Sequence, residues 1–425
     1  MSAETTASGG ELTAALNYLK SPLAIRARAE NVLSVGLVGG LDHFAVELAR
    51  LGAVADRVAA VTRAAYPSLV IPVHGRTNHF RAGGVDRAAA LDRALADRER
   101  DARATAWIDL IVVSVLLDAG AGDAWAFTEP GTGLRLARSE GLAVASLHAF
   151  QEGLFSADPA DPLRVDADAL ARLDPDRLAA AFQISAANPM VGLEGRTELV
   201  RRLGAALVAS PQLFPDQRPG GLLEVLRTGG PAARGGGTGA LGGIAAAELL
   251  RALLDGLGSI WPGRTELAGA NLGDVWRHPA AGGEGPTAGL APFHKLSQWL
   301  AYSLFEPIEQ AGLRIIQPGA LTGLPEYRNG GLLVDLGVLV PRHAGVLRDR
   351  HKPGSEIVVE WRALTVALLD RVADLVRARL EKSADELPLA RVLEGGTWAA
   401  GRAVAAELRP GGGPPITIES DGTVF

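Results

Sequence analysis

Cysteine is absent from the 425 residues, which removes disulfides, thiolate metal sites and a cysteine nucleophile together. Lysine is almost as scarce: Lys20, Lys295, Lys352 and Lys382 are the whole set, so positive charge is carried by arginine. Charge of neither sign dominates, with 42 Lys+Arg against 48 Asp+Glu and a net charge of −6, so no global field would hold a nucleic-acid backbone. Long apolar runs are missing as well. The longest, 110–117, is closed by Asp109 and Asp118 and falls far short of the roughly 20 residues a spanning helix needs. The first eleven residues lack a basic region followed by an apolar one, so no signal peptide is expected, and a cytoplasmic protein without membrane or nucleic-acid partners is the expectation.

What remains is 48% hydrophobic and 21% charged, enough for a large core and for one or two domains. Most of the chain carries helical periodicity. Over 355–380, Trp361, Leu364, Leu368, Val372, Leu375 and Val376 fall on one stripe, while Arg362, Arg371, Asp374, Arg377 and Arg379 lie mostly off it. Similar patterns predict helices near 22–35, 41–63, 84–118, 138–152, 175–186, 194–209, 243–257, 293–311 and 384–408. Strand alternation is confined to 334–340 and to the C-terminal tail, where 415–418 and 423–425 flank Ser420-Asp421-Gly422 as a candidate hairpin. The fold class is therefore mostly α with minor β. Gly and Pro concentrate in 218–243, 279–292 and 410–415, which suggests a helical part over 1–217, a Gly-rich loop over 218–243 and a helical part over 244–425, packed as one unit with a site between the parts. Residues 237–242 match the dinucleotide fingerprint formally, but neither a preceding strand nor a later acidic residue supports it.

Three stretches could carry chemistry. In 292–310, a helical wheel places Phe293, Leu300, Leu304 and Ile308 on one side and Lys295, Gln298, Trp299, Tyr302 and Glu306 on the other. The second face suits a pocket that stacks a planar ring and hydrogen-bonds its edge; the plainer alternative is a second buried face with Lys295 reaching outward. In 321–339, Glu326, Tyr327 and Arg328 stand between a Gly-Leu-Pro turn and Asn329-Gly330-Gly331, where glycine permits close approach of a ligand or another helix. Glu326 could stabilise a developing cation or activate water, with Arg328 orienting it, or the two could be a surface pair. In 71–80, Arg76, His74, His79 and Phe80 share what reads as an extended loop suited to an anionic group, or merely polar. Metal-ligand spacing is not found, and no metal or cofactor is expected. Trp125, Glu140, Gln183, Asn188, Glu194 and Arg196 are further candidates, each explicable as turn or cap chemistry.

The segments IPVHGRTNHF, SEGLAVASLHAFQEGLFS, FQISAANPMVGLEGR, GSIWPGRT, LGDVWRH, PFHKLSQWLAYSLFEPIE and LTGLPEYRNGGLLVDLGVL together resemble the uracil-catabolism family of the URC (Urg) pathway, over nearly the whole chain. That pathway degrades uracil through ribosylated intermediates to urea and a three-carbon acid. More distantly, FHKLSQWL, LTGLPEYRNGGLLVDLGVL and VVEWRALTVALLDRV are similar, in this order, to the FHKxxQ, LTxFADYRxPQxLxxLGxL and VEIR segments of queuosine-salvage proteins, helical N-glycosidases related in fold to helix-hairpin-helix DNA glycosylases. The resemblance implies a DNA-glycosylase-like helical architecture, an active-site Lys295 and a catalytic carboxylate at Glu326. Glu326 replaces an Asp of that family, which moves the charge by about an ångström. Thr77-Asn78 departs from the uracil-catabolism pattern, where an aromatic and a basic residue stand.

Cleavage of a ribosyl C–N bond passes through an oxocarbenium-like state, which a carboxylate beneath the sugar stabilises while it activates water. Glu326 and Lys295 are accordingly the catalytic candidates. His294, Gln298, Trp299, Tyr302, Tyr327, Arg328, Arg76, His79, Phe80, Trp125 and Glu140 are the substrate-binding candidates, with Trp299 and Tyr327 as apolar walls. The expected reaction is hydrolysis of ribosylurea, or its 5-phosphate, to urea and ribose or ribose phosphate. An amide hydrolase of the same pathway and a non-catalytic scaffold are the alternatives.

Overall fold

The computed structural model describes residues 8–118, 120–122, 124–229, 243–261 and 265–419. It is mostly helical, as the periodicity predicts, and its β structure among the described residues is six short two-stranded pairs. The chain divides into two units. One draws its described residues from 8–72, 265–298 and 318–419, the other from 73–261 and 299–317, so each is assembled from segments far apart in sequence.

The first unit is organised by the helix Glu356–Leu380, which packs against Pro22–Leu37, Leu51–Ala65 and Tyr327–Asp335. The stripe read from the sequence describes only its second half. From Val358 to Leu369 every residue is buried, Glu360 and Arg362 included, because helices cover it on more than one side. Pro22–Leu37 starts where predicted: Pro22 occupies the first turn and the Ser21 hydroxyl accepts the Ala24 N–H at 3.1 Å. The predicted helix over 41–63 begins late, because Phe44–Val46 pairs antiparallel with Leu339–Pro341. That pairing also corrects 334–340. Tyr327–Asp335 is helical, Gly337 at φ +73° reverses the chain, and strand begins only at Leu339. The region 384–408 is Leu389–Val392, a π-helical turn over Leu393–Thr397 and Trp398–Leu408. The turn holds Gly396 so close to Leu51–Ala65 that a Cβ there would stand 2.6 Å from the Val58 carbonyl oxygen. In the tail, Thr417–Ile418 pairs in parallel with Arg350–His351; the other half of the expected hairpin lies outside the described residues.

In the second unit, Arg100–Leu116 packs against Arg138–Gln151 and Leu193–Ala209, and its apolar run is buried core. The helix predicted over 84–118 is two helices, Arg87–Ala94 and Arg100–Leu116, with Arg98 between them bonded to the Leu163 carbonyl and Asp161. Residues 76–79, read as loop, form one helical turn. The fingerprint at 237–242 lies outside the described residues. No helix among the described residues is long and apolar enough to cross a membrane.

Candidate functional site

Six of the sequence candidates fall in the first unit, around the start of the helix Lys295–Gln310 and of Tyr327–Asp335. Glu326 is the N-cap residue of the latter: its two carboxylate oxygens accept the N–H groups of Arg328 at 2.8 Å and Asn329 at 2.5 Å. Its backbone is extended there, as that of an N-cap residue typically is. Burial raises the carboxyl above its ordinary value, and this outweighs the two N–H groups and the Lys295 and Arg328 charges, all of which pull it down. Lys295, 31 positions earlier in the sequence, therefore stands within electrostatic reach of Glu326.

Two residues absent from the sequence-based candidates hold this arrangement. Arg362 forms a two-pronged pair with Asp274 at 2.7 and 2.8 Å, lies 4.1 Å from the centroid of the Phe293 ring, and reaches the Pro325 carbonyl at 3.5 Å. Asp274 in turn accepts the backbone N–H of Lys295 at 3.0 Å and the Trp276 indole N–H at 2.7 Å. One buried ion pair thus joins the first residue of Lys295–Gln310 to the peptide preceding Glu326. Burial alone would raise the Asp274 carboxyl, but the guanidinium and the donated hydrogen bonds overcome it and hold the group well below the usual carboxylate range. The signal was present in the sequence: an Arg inside the apolar run Val358–Leu369 has to be paired if the helix is central.

Other candidates are committed to the protein itself. Gln298 is fully buried: its amide nitrogen donates to the Phe293 carbonyl at 3.0 Å and to the Thr322 hydroxyl at 2.9 Å, and its oxygen accepts the Thr322 N–H at 2.9 Å. It clamps the 321–324 segment to the helix. His294 adopts φ +47°, and burial lowers its pKa, so the ring is neutral; its Nε2 pairs with the Leu19 carbonyl at 2.9 Å, which leaves no second N–H to give. Arg328 sends its guanidinium to the Gly412 carbonyl at 2.6 Å and lies 4.8 Å from the half-buried Tyr327 ring. Its charge and its backbone N–H act on Glu326, while its guanidinium hydrogen bond goes to Gly412. Gly330 makes a close approach to another helix: a Cβ would stand 2.7 Å from the Trp361 indole.

The remaining candidates gather in the second unit. Arg76 is fully buried, with its guanidinium bonded to Ser114, the Ser139 carbonyl, His79 and Asp118. A guanidinium so engaged is a structural node, which corrects the expectation that it waits for an anion. Glu140 acts on it electrostatically. Trp299 lies against Arg76, His74 and His79, with ring-centroid separations of 6.5 and 5.9 Å from the two imidazoles. Tyr302 packs edge-on to Phe305, and Phe80 against Trp107, all in the core. Trp125 is fully buried, stacks on Phe182 and donates its N–H to the Phe182 carbonyl. Its role is packing, not ligand stacking. Gln183 and Asn188 brace the strand Ala126–Thr128, and Arg196 bonds the Leu117, Gly120 and Val191 carbonyls, which is turn chemistry. Lys295 thus lies within electrostatic reach of Glu326, while Trp299 lies against Arg76, His74 and His79.

Comparison with known proteins adds the family. A family model described as "Protein of unknown function (DUF1688)" matches residues 18–425. The chain is 40% identical over 411 residues to Protein urg3 of Schizosaccharomyces pombe, covering 94% of this chain and 96% of that protein. It is 38% identical over 443 aligned residues to Uracil catabolism protein 4 of Lachancea kluyveri, covering 96% and 99%.

Proposed function

Because the chain belongs to the DUF1688 family and is 38% identical to a protein named for uracil catabolism, we propose that it acts in uracil catabolism as an N-glycosidase. The substrate is ribosylurea or its 5-phosphate, and the products are urea and ribose or ribose phosphate. The observation that carries this reading is Glu326, a buried carboxyl whose pKa burial has raised, within electrostatic reach of Lys295. A buried carboxyl whose pKa is raised holds its proton more tightly than a solvated one and is a candidate for proton exchange with water.

The reaction breaks the bond between the anomeric carbon and the urea nitrogen. Glu326 faces the positive charge that develops on the sugar and takes a proton from the attacking water, whose oxygen bonds to the anomeric carbon. The departing urea nitrogen gains a proton, and the Lys295 ammonium is the donor near Glu326. Tyr327 supplies an apolar wall. The Asp274–Arg362 pair fixes both reacting side chains through the backbone. The mostly helical fold agrees with the glycosylase-like architecture that the queuosine-salvage resemblance implies.

A second reading has its own observation. Both Glu326 oxygens already accept helix N–H groups, as a purely structural N-cap would. Incubating the purified protein with ribosylurea and with its 5-phosphate, and following urea and reducing sugar by mass spectrometry, separates the two. Release of both products that is lost on Glu326→Gln supports the glycosidase. Absence of both products from either compound leaves the cap as the function of Glu326.

A further inference from the structure

Glu360 poses a problem that the proposed reaction does not use. It sits in the fully covered part of Glu356–Leu380, with its side chain 1% exposed. One carboxylate oxygen, Oε1, accepts the backbone N–H groups of His43 at 3.3 Å and Phe44 at 2.9 Å. The other, Oε2, is buried with no hydrogen-bond partner. A carboxylate oxygen buried without a hydrogen bond calls for a proton or a cation close by.

Its surroundings are rich in metal ligands. Among the described residues, His43, Glu356 and Glu360 form a group whose ligand atoms all lie within 4.8 Å of one another. Glu356 and Glu360 are one helical turn apart, so their carboxylates share a face, and the chain brings His43 to them from 317 positions away from Glu360. The His43 Nε2 stands 3.9 Å from Glu356 Oε1. Ligands at roughly 2.0–2.2 Å from a tetrahedral ion are about 3.4 Å apart, so small side-chain rotations suffice to close the group on a cation.

Two further histidines set the tautomers. His43 Nδ1 and His343 Nε2 are 2.9 Å apart, a hydrogen bond that needs one N–H and one lone pair. With His43 as the donor, its Nε2 lone pair faces the carboxylates, the usual arrangement for a metal-bound imidazole. His278 accepts the Ala280 N–H on Nδ1, so its proton lies on Nε2, 3.4 Å from Glu360 Oε2. It is a positioning residue for that carboxylate. The site is closed on the Glu360 side and open on the other, where Glu356 is 42% exposed and His43 19%, leaving room for water ligands.

We propose that His43, Glu356 and Glu360 bind one divalent first-row transition-metal ion, with zinc as the best fit to one imidazole and two carboxylates. His343 and His278 orient the ligands. The sequence expectation of no metal rested on local spacing, which cannot register a ligand drawn from the other end of the chain. None of the residues assigned to the glycosidase reaction belongs to this site.

Equilibrium dialysis of the full-length protein against Zn2+, with metal content read by mass spectrometry, tests the proposal, and a thermal melt with and without Zn2+ supplies a second readout. One equivalent per chain is expected, with a raised melting temperature. His43→Ala and Glu356→Ala should each weaken binding at least tenfold and abolish the thermal shift. Glu356 is exposed, so its variant keeps the fold; Glu360→Gln retains the acceptor for the His43 and Phe44 amides and should also lose the ion. The proposal is overturned if the wild type takes up no zinc, if the folded Glu356→Ala and Glu360→Gln proteins bind it as tightly as wild type, or if Mg2+ binds as tightly as Zn2+, which would exclude the imidazole.

Discussion

Glu326→Gln separates catalysis from capping, because the structure assigns different consequences to the charge and to the hydrogen bonds. The amide keeps one acceptor oxygen, so one of the two donated N–H bonds, from Arg328 or Asn329, is lost, at a cost of about 1 kcal/mol. Against this, the substitution removes a charge whose burial is unfavourable. Folding raises the Glu326 pKa above its ordinary 4.5, so between that value and the folded one the native state holds a proton that the unfolded state has released. Stability from this group therefore falls as pH rises through that window, and above it the ionised side chain opposes folding. The variant should melt close to wild type at neutral pH and show a flatter dependence of stability on pH above 4.5. Its rate should fall by about 10²–10⁴, the usual worth of a positioned general base, or about 3 to 5 kcal/mol of barrier. Urea release from the ribosylated substrate, followed by mass spectrometry beside a thermal melt, provides both quantities. A folded Glu326→Gln protein that releases urea within threefold of the wild-type rate would refute the catalytic assignment.

Three further outcomes follow from the same geometry. Asp274→Asn leaves the buried Arg362 guanidinium without its counter-ion and should destabilise the protein by about 3–5 kcal/mol in denaturant titration. Because the Asp274 carboxyl is held below its ordinary value of 3.8, the stability it contributes is present above that pH and lost as pH falls below it; Asp274→Asn should lack this part of the acid transition. Gly330→Ala places a methyl against the Trp361 indole and should cost about 1–3 kcal/mol while shifting the helix that carries Glu326, lowering urea release as well as melting temperature. Gln298→Ala strands the buried Thr322 N–H and should cost about 1–3 kcal/mol by the same titration, with no gain in activity toward any ribosylated compound.

Much was legible from residue order alone. Helical periodicity located Pro22–Leu37, Arg138–Gln151, Leu193–Ala209, Lys295–Gln310 and Glu356–Leu380 to within a few residues, because an apolar stripe and a cap are local properties of the chain. The scarcity of lysine singled out Lys295, and the Glu-Tyr-Arg-Asn-Gly-Gly stretch singled out Glu326, through residue types that are unusual where they stand. Their proximity was not legible, since nothing in the 30 intervening residues specifies how the chain returns. Tertiary structure alone decided which polar residues are occupied by the protein: Gln298, Arg76 and Trp125 look available in a linear reading and are committed through side-chain hydrogen bonds to partners up to 63 positions away. It alone brought Asp274 to Arg362 and His43 to Glu360, 88 and 317 positions apart, because burying a charge in a helical core requires a partner from whatever segment packs there. The sequence by itself determined a cysteine-free, mostly helical protein with Lys295 and Glu326 as its chemical candidates. Long-range packing determined what those groups face, which of their neighbours are free, and where a metal ion would sit.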